Sequence, residues 1–148
     1  MNCPECGATE RKCKAHYHAC LAKEFEDPRY GAVHHLTVAT YMLQHSSQLT
    51  REGWLYEREL LREFLVENKP PALVRVQNRD SLDSLRREFK IVSRDGRPLI
   101  RRAQWTMTIL DVSLKDAAAY CRGVEAWARS ALQEAERIPA GEVRDDGR

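Results

Sequence analysis

Three cysteines fall within the first thirteen residues, two in CPECG at 3–7 and the third at Cys13. This cluster constrains the chain more than any other feature. A terminal stretch with almost no apolar side chains has little reason to order unless something ties its thiols together. A redox pair normally follows a strand and opens a helix, where the helix end lowers a thiol pKa. Only Met1 and Asn2 precede Cys3, so that scaffold is missing. A disulfide framework also fits poorly, because the chain has five cysteines, an odd number, and no secretory leader is visible. Metal ligation fits better. In Cys-Pro-x-Cys-Gly a short turn points both sulfurs inward, and Gly7 permits the left-handed backbone such a turn needs. Zinc takes four tetrahedral Cys and His ligands in closed structural sites. Cys3, Cys6 and Cys13 supply three.

Spacing leaves the fourth ligand open. His16 lies three residues after Cys13 on the same helical face, and His34 and His35 open the second helix. His45 closes that helix. His34 and His45 are eleven residues apart, which at about 1.5 Å per residue separates them by about 16 Å, so they cannot share one ion. His45 has a simple explanation as a charge-complementing residue at a helix C-terminus, and on that reading His45→Ala keeps the metal. His18 and His35 read as solvent-facing, and Cys20 and Cys121 as small core residues.

The rest of the chain predicts a mainly α protein, a small helical bundle with at most one short β-hairpin. A first helix spans about 13–26 with Tyr17, Leu21 and Phe25 on one apolar face. Asp27-Pro28 breaks it, and Pro28 opens a second helix reaching Gln44 with Val33, Leu36, Thr40 and Leu43 inward. Thr50 caps a third helix whose face carries Trp54, Leu60, Leu61, Phe64 and Leu65, ended by Asn68-Lys69-Pro70-Pro71. ALVRVQ (72–77) alternates weakly, Leu82, Leu85 and Phe89 suit a short helix, and QWTMTI (104–109) alternates like a strand. Ser113 with Asp116 reads as a capping box for a last helix from Leu114 to about Arg137, lined by Ala117, Tyr120, Cys121, Val124, Trp127, Ala128, Ala131 and Leu132.

With 148 residues, 43% hydrophobic and 31% charged, the chain reads as one globular domain over 1–138, its knuckle at 1–13, followed by a disordered charged tail at 139–148. No apolar run is long enough to span a bilayer, so a cytoplasmic protein is expected. The net charge of +2 demands no anionic partner. Between Arg75 and Arg102 basic residues outnumber acidic ones nine to four. Such a stretch can contact phosphates, although a solvated face is the commoner meaning.

CPECG, Cys13, LAKEFEDPRYGAVHHLTVATYMLQH (21–45), WTMTILDV (105–112) and VEAWARS (124–130) together resemble an uncharacterised bacterial family, domain of unknown function 5946. The resemblance implies a zinc-knuckle-like start on a helical domain and assigns no activity. It places the family's third cysteine on Cys13, the histidine of its Leu-Thr-Val block on His34, and its Gln-His pair on Gln44 and His45. A histidine that some relatives carry between the second and third cysteines is missing from GATERK here. The resemblance thus points to Cys3, Cys6, Cys13 and His34 as the zinc ligands.

No H-E-x-x-H, deaminase, phosphate-loop or nucleophile-elbow pattern is present. The functional expectation is therefore a zinc-binding helical module that recognises a protein or nucleic-acid partner. The alternative is a zinc-dependent hydrolase with an open coordination position and Glu5, His34 or His45 as base.

Overall fold

The structure, a computed structural model, describes residues 1–74, 98–100 and 105–144. Capping side chains and prolines cut this chain into helices much as expected. Helix α1 runs Cys13–Glu26. Asp27 then accepts the Arg29 N–H and Pro28 takes the first position of the short α2, Pro28–Gly31. After a turn at 32–33 comes α3, His34–Gln44. Thr50 accepts the Gly53 N–H to open α4, Arg51–Leu65. The last long helix, α5, spans Ala117–Glu136.

The expected second helix is thus two pieces. The first piece ends at Gly31, where a Cβ would lie 2.8 Å from the Glu24 carbonyl oxygen, so α2 packs directly on the end of α1. The last helix also starts later than expected, with Asp116 rather than Ser113 as its cap, accepting the Ala119 N–H at 2.8 Å.

Helix α3 is the centre, packed against α4 and α5. The core is built from Leu36, Ala39 and Leu43 of α3, Trp54, Leu61 and Leu65 of α4, and Tyr120, Val124, Trp127, Ala128, Ala131 and Leu132 of α5. Polar wiring fixes the packing. Trp54 Nε1 donates to the Leu43 carbonyl at 3.0 Å. Trp127 Nε1 donates to Gln44 Oε1 at 3.0 Å, and Gln44 Nε2 donates to the Met107 carbonyl at 2.8 Å.

Three expectations need correction. The buried face of α1 is Cys13, Cys20 and Glu24, one position round from Tyr17, Leu21 and Phe25, and Phe25 is 83% exposed. Residues 105–108 form no strand; their backbone groups are taken by Gln44 and by Glu134, which accepts the Thr106 N–H, and Thr108 caps a 3₁₀ turn at Ile109–Asp111. Cys121 is half-buried and donates to the Arg29 carbonyl rather than filling the core. Beyond the last helix Val143 is buried and the Arg144 N–H donates to the Leu99 carbonyl at 2.8 Å. Among the described residues no helix is long and apolar enough to cross a membrane. The basic stretch from Arg75 to Arg102, apart from 98–100, and the short helix expected around Leu82–Phe89 lie outside the described residues.

Candidate metal centre

The CPECG segment folds back on itself before α1 begins. The Gly7 N–H donates to the Cys3 carbonyl and the Cys3 N–H to the Ala8 carbonyl, both at 2.9 Å. Gly7 has φ 84°, the left-handed angle that makes this turn easy only for glycine. The fold directs backbone N–H groups at the sulfurs: those of Glu5 and Cys6 face Cys3, that of Ala8 faces Cys6 and that of Lys14 faces Cys13.

The end of α3 meets this turn. Glu5 accepts the Ser47 N–H at 2.8 Å and the Ser47 hydroxyl at 3.0 Å, which docks the turn on the 3₁₀ segment Ser46–Gln48. Ligand atoms of Cys3, Cys6, Cys13 and His45 then all lie within 4.8 Å of one another. Four ligands at zinc-like bond lengths stand roughly 3.3–3.8 Å apart in a tetrahedron. The cluster is therefore close enough to close on a single ion.

His45 is prepared for that role. The ring is buried, and its Nδ1 bonds the Tyr41 carbonyl at 2.8 Å. A carbonyl only accepts, so Nδ1 carries the hydrogen and Nε2 carries a lone pair. That Nε2 is buried with no hydrogen-bond partner. An orphaned buried acceptor is costly unless something occupies it, and a metal ion does so. The ring is clamped by stacking on Tyr41, centroids 3.9 Å apart, which itself stacks on Tyr17 at 3.7 Å.

The thiols carry the electrostatic mark of the same arrangement. Burial pushes Cys6 and Cys13 up, and the proximity of the other cysteines adds to it. Burial opposes ionisation of Cys3 too, yet its pKa falls below the usual thiol value because backbone N–H groups of Cys6 and Glu5 and the neighbouring thiols hydrogen-bond its sulfur. Three thiolates this close repel one another, and a divalent cation among them removes the repulsion.

The expected fourth ligand, His34, is not in this cluster. It sits at the opposite end of α3, where its Nδ1 bonds Glu24 Oε1 at 2.7 Å. His16 is also elsewhere, with Nε2 on the Val112 carbonyl at 2.8 Å, fastening 105–112 to α1. His18 is exposed, as expected. His35 packs edge-on against Phe64, centroids 4.6 Å apart. Glu5 is held by Ser47 and is a docking group rather than a free base.

Residues 1–136 match one family, described as "Family of unknown function (DUF5946)". The chain belongs to this family. No curated protein and no solved structure matches it. The match spans both the Cys/His cluster and all five helices named above.

Proposed function

We propose that this DUF5946 chain binds one zinc ion through Cys3, Cys6, Cys13 and His45, and that the ion is structural. The observation that carries this reading is the buried, partnerless Nε2 of His45, converging with three thiols. Thiolate and imidazole donors in a closed tetrahedral set favour zinc. The Tyr41 carbonyl behind His45 is the outer-shell partner that fixes a ligand's tautomer. The ion joins the N-terminal turn, the start of α1 and the end of α3.

Four protein ligands leave no coordination position for a substrate water, which argues against the hydrolase alternative. The activity left for such a domain is recognition, as a binding or regulatory module for a protein or nucleic-acid partner. Five unpaired cysteines suit the reducing cytoplasm.

Native mass spectrometry tests the metal reading on wild type and three variants. The expected result is one zinc per chain, lost in Cys13→Ser and His45→Ala and kept in His34→Ala. Zinc that survives His45→Ala, or disappears with His34→Ala, overturns the ligand set. Absence of metal from the wild type overturns the proposal itself.

A further inference from the structure

The far end of α3 carries a second constellation. Glu24 is buried, yet its carboxylate is fully engaged: Oε1 takes His34 Nδ1, and Oε2 accepts the hydroxyls of Thr37, at 2.6 Å, and Tyr120. In the neutral imidazole the carboxylate holds the hydrogen on His34 Nδ1, which leaves Nε2 as an acceptor. No protein group takes that Nε2 among the described residues.

The His34 ring lines a cavity of about 670 Å³ between α3 and α4, bounded also by Pro71 and Val74. This volume lies in the range of small-molecule sites. Its walls are mostly apolar, with Val38, Leu60, Phe64 and Val74 among them, and Glu57 reaches it from α4. Among the described lining residues there is no lysine or arginine. Among the described residues His34 and Glu57 belong to no group of three or more potential metal ligands, in contrast to the thiol cluster. His35 and Tyr56 also line the cavity and have partners of their own; His34 and Glu57 offer an acceptor and a carboxylate, and Glu24 adds a second carboxylate behind the wall. A ligand that satisfies them brings hydrogen-bond donors and positive charge at one end and apolar bulk at the other.

We propose that this cavity binds a small organic ammonium ion with an apolar body, its nitrogen held by Glu57 and by Nε2 of His34. Phe64 adds an aromatic wall suited to the apolar part or to the cation itself. Burial pushes the Glu57 carboxyl up to about 7, and a cation beside it restores its ionised form. The site is independent of the metal centre and shares no residue with it.

The test is titration of the full-length, zinc-loaded, ¹⁵N-labelled protein with 2-phenylethylamine, 2-phenylethanol and 3-phenylpropanoate, followed by amide chemical shifts. The amine is expected to move amides in 31–39 and 56–64 saturably, the alcohol to bind at least tenfold more weakly, and the carboxylate not to bind. Glu57→Gln and His34→Leu should each weaken the amine, Glu57→Gln at least tenfold, with the alcohol changed less than threefold. The proposal is overturned by an alcohol or carboxylate that matches the amine, by shifts confined to other surfaces, or by no saturable shift. Amine affinity that survives Glu57→Gln also overturns it. Zinc content of Glu57→Gln, read in parallel, separates this outcome from a failure of the metal reading.

Discussion

Replacing Glu24 with glutamine probes the buried network directly. The side chain keeps its shape but exchanges one carboxylate oxygen for an NH₂ group. Three donors converge on Glu24, so the new nitrogen faces a donor in either amide orientation. Turned toward His34 it keeps that bond only by moving the ring hydrogen to Nε2, and the contact becomes neutral; turned toward Thr37 and Tyr120 it faces two hydroxyl donors. Hydrogen bonds to a charged group contribute about 1.5–3 kcal/mol each, and those that survive fall to neutral strength. Against this, an uncharged amide is cheaper to bury than a carboxylate. The net expectation is a loss of about 2–4 kcal/mol, which for a domain of this size lowers the melting temperature by roughly 5–15 °C. Urea unfolding with an unchanged m-value is the assay. Tyr120→Phe removes one donor and should cost about 1–2 kcal/mol. The double variant should show a coupling of at least about 1 kcal/mol. A Glu24→Gln protein within about 0.5 kcal/mol of wild type, or additivity in the cycle, refutes the view that this carboxylate organises α1, α3 and α5.

Three further outcomes follow from particular contacts. Gly31→Ala should destabilise by about 1–3 kcal/mol in urea melts, because the new methyl meets the Glu24 backbone and the strain outweighs alanine's helix preference. Glu5→Ala removes both Ser47 bonds and should weaken zinc about tenfold in a chelator competition while leaving one site per chain. Glu57 has a folded pKa of about 7, above its ordinary 4.5, so its favourable contribution is present below the unfolded value and lost as pH rises through 7. Glu57→Gln should therefore match wild type near pH 4.5 and exceed it by about 1–2 kcal/mol at pH 8.5, after allowance for partial solvent screening. Equal urea midpoints at both pH values would contradict the burial argument.

Much of the fold was legible because the deciding groups are local. Asp27-Pro28 and Thr50 act within one turn of themselves, and the cysteine turn needs only its own backbone. What escaped depended on contacts far along the chain. The face of α1 was misread by one position because Glu24, a residue expected in solvent, is buried by Tyr120, His34 and Thr37. Residues 105–109 alternate like a strand, yet their backbone partners are side chains of α3 and α5 rather than another strand. The expected fourth ligand, His34, lies at the end of α3 away from the cysteines, and chain geometry explains why. Helix α1 starts at Cys13 and carries the chain about 21 Å away over its fourteen residues. A helix that returns beside it brings its last residue, not its first, to the cysteines, and that residue is His45.

The two histidines at the ends of α3 use one device for different chemistry. In each, Nδ1 is held by an oxygen and Nε2 is left as the working atom. At His45 the oxygen is a neutral carbonyl, the ring is buried, and the facing groups are thiols, so the vacant acceptor suits a metal ion that brings its own positive charge. At His34 the oxygen belongs to a carboxylate, the ring is 47% exposed and the cavity beyond it is mostly apolar. There the vacant acceptor suits a donor on a molecule that can enter and leave. Trp54 and Trp127 fasten the His45 end of the helix at Leu43 and Gln44, and Glu24 fastens the other end through His34 and Thr37, so the two ends are held by separate contacts. A variant that empties the metal site while α3, α4 and α5 stay packed should therefore still bind the amine. Loss of amine binding in a folded, zinc-free Cys6→Ser protein would show instead that the metal-bound end sets the shape of the cavity.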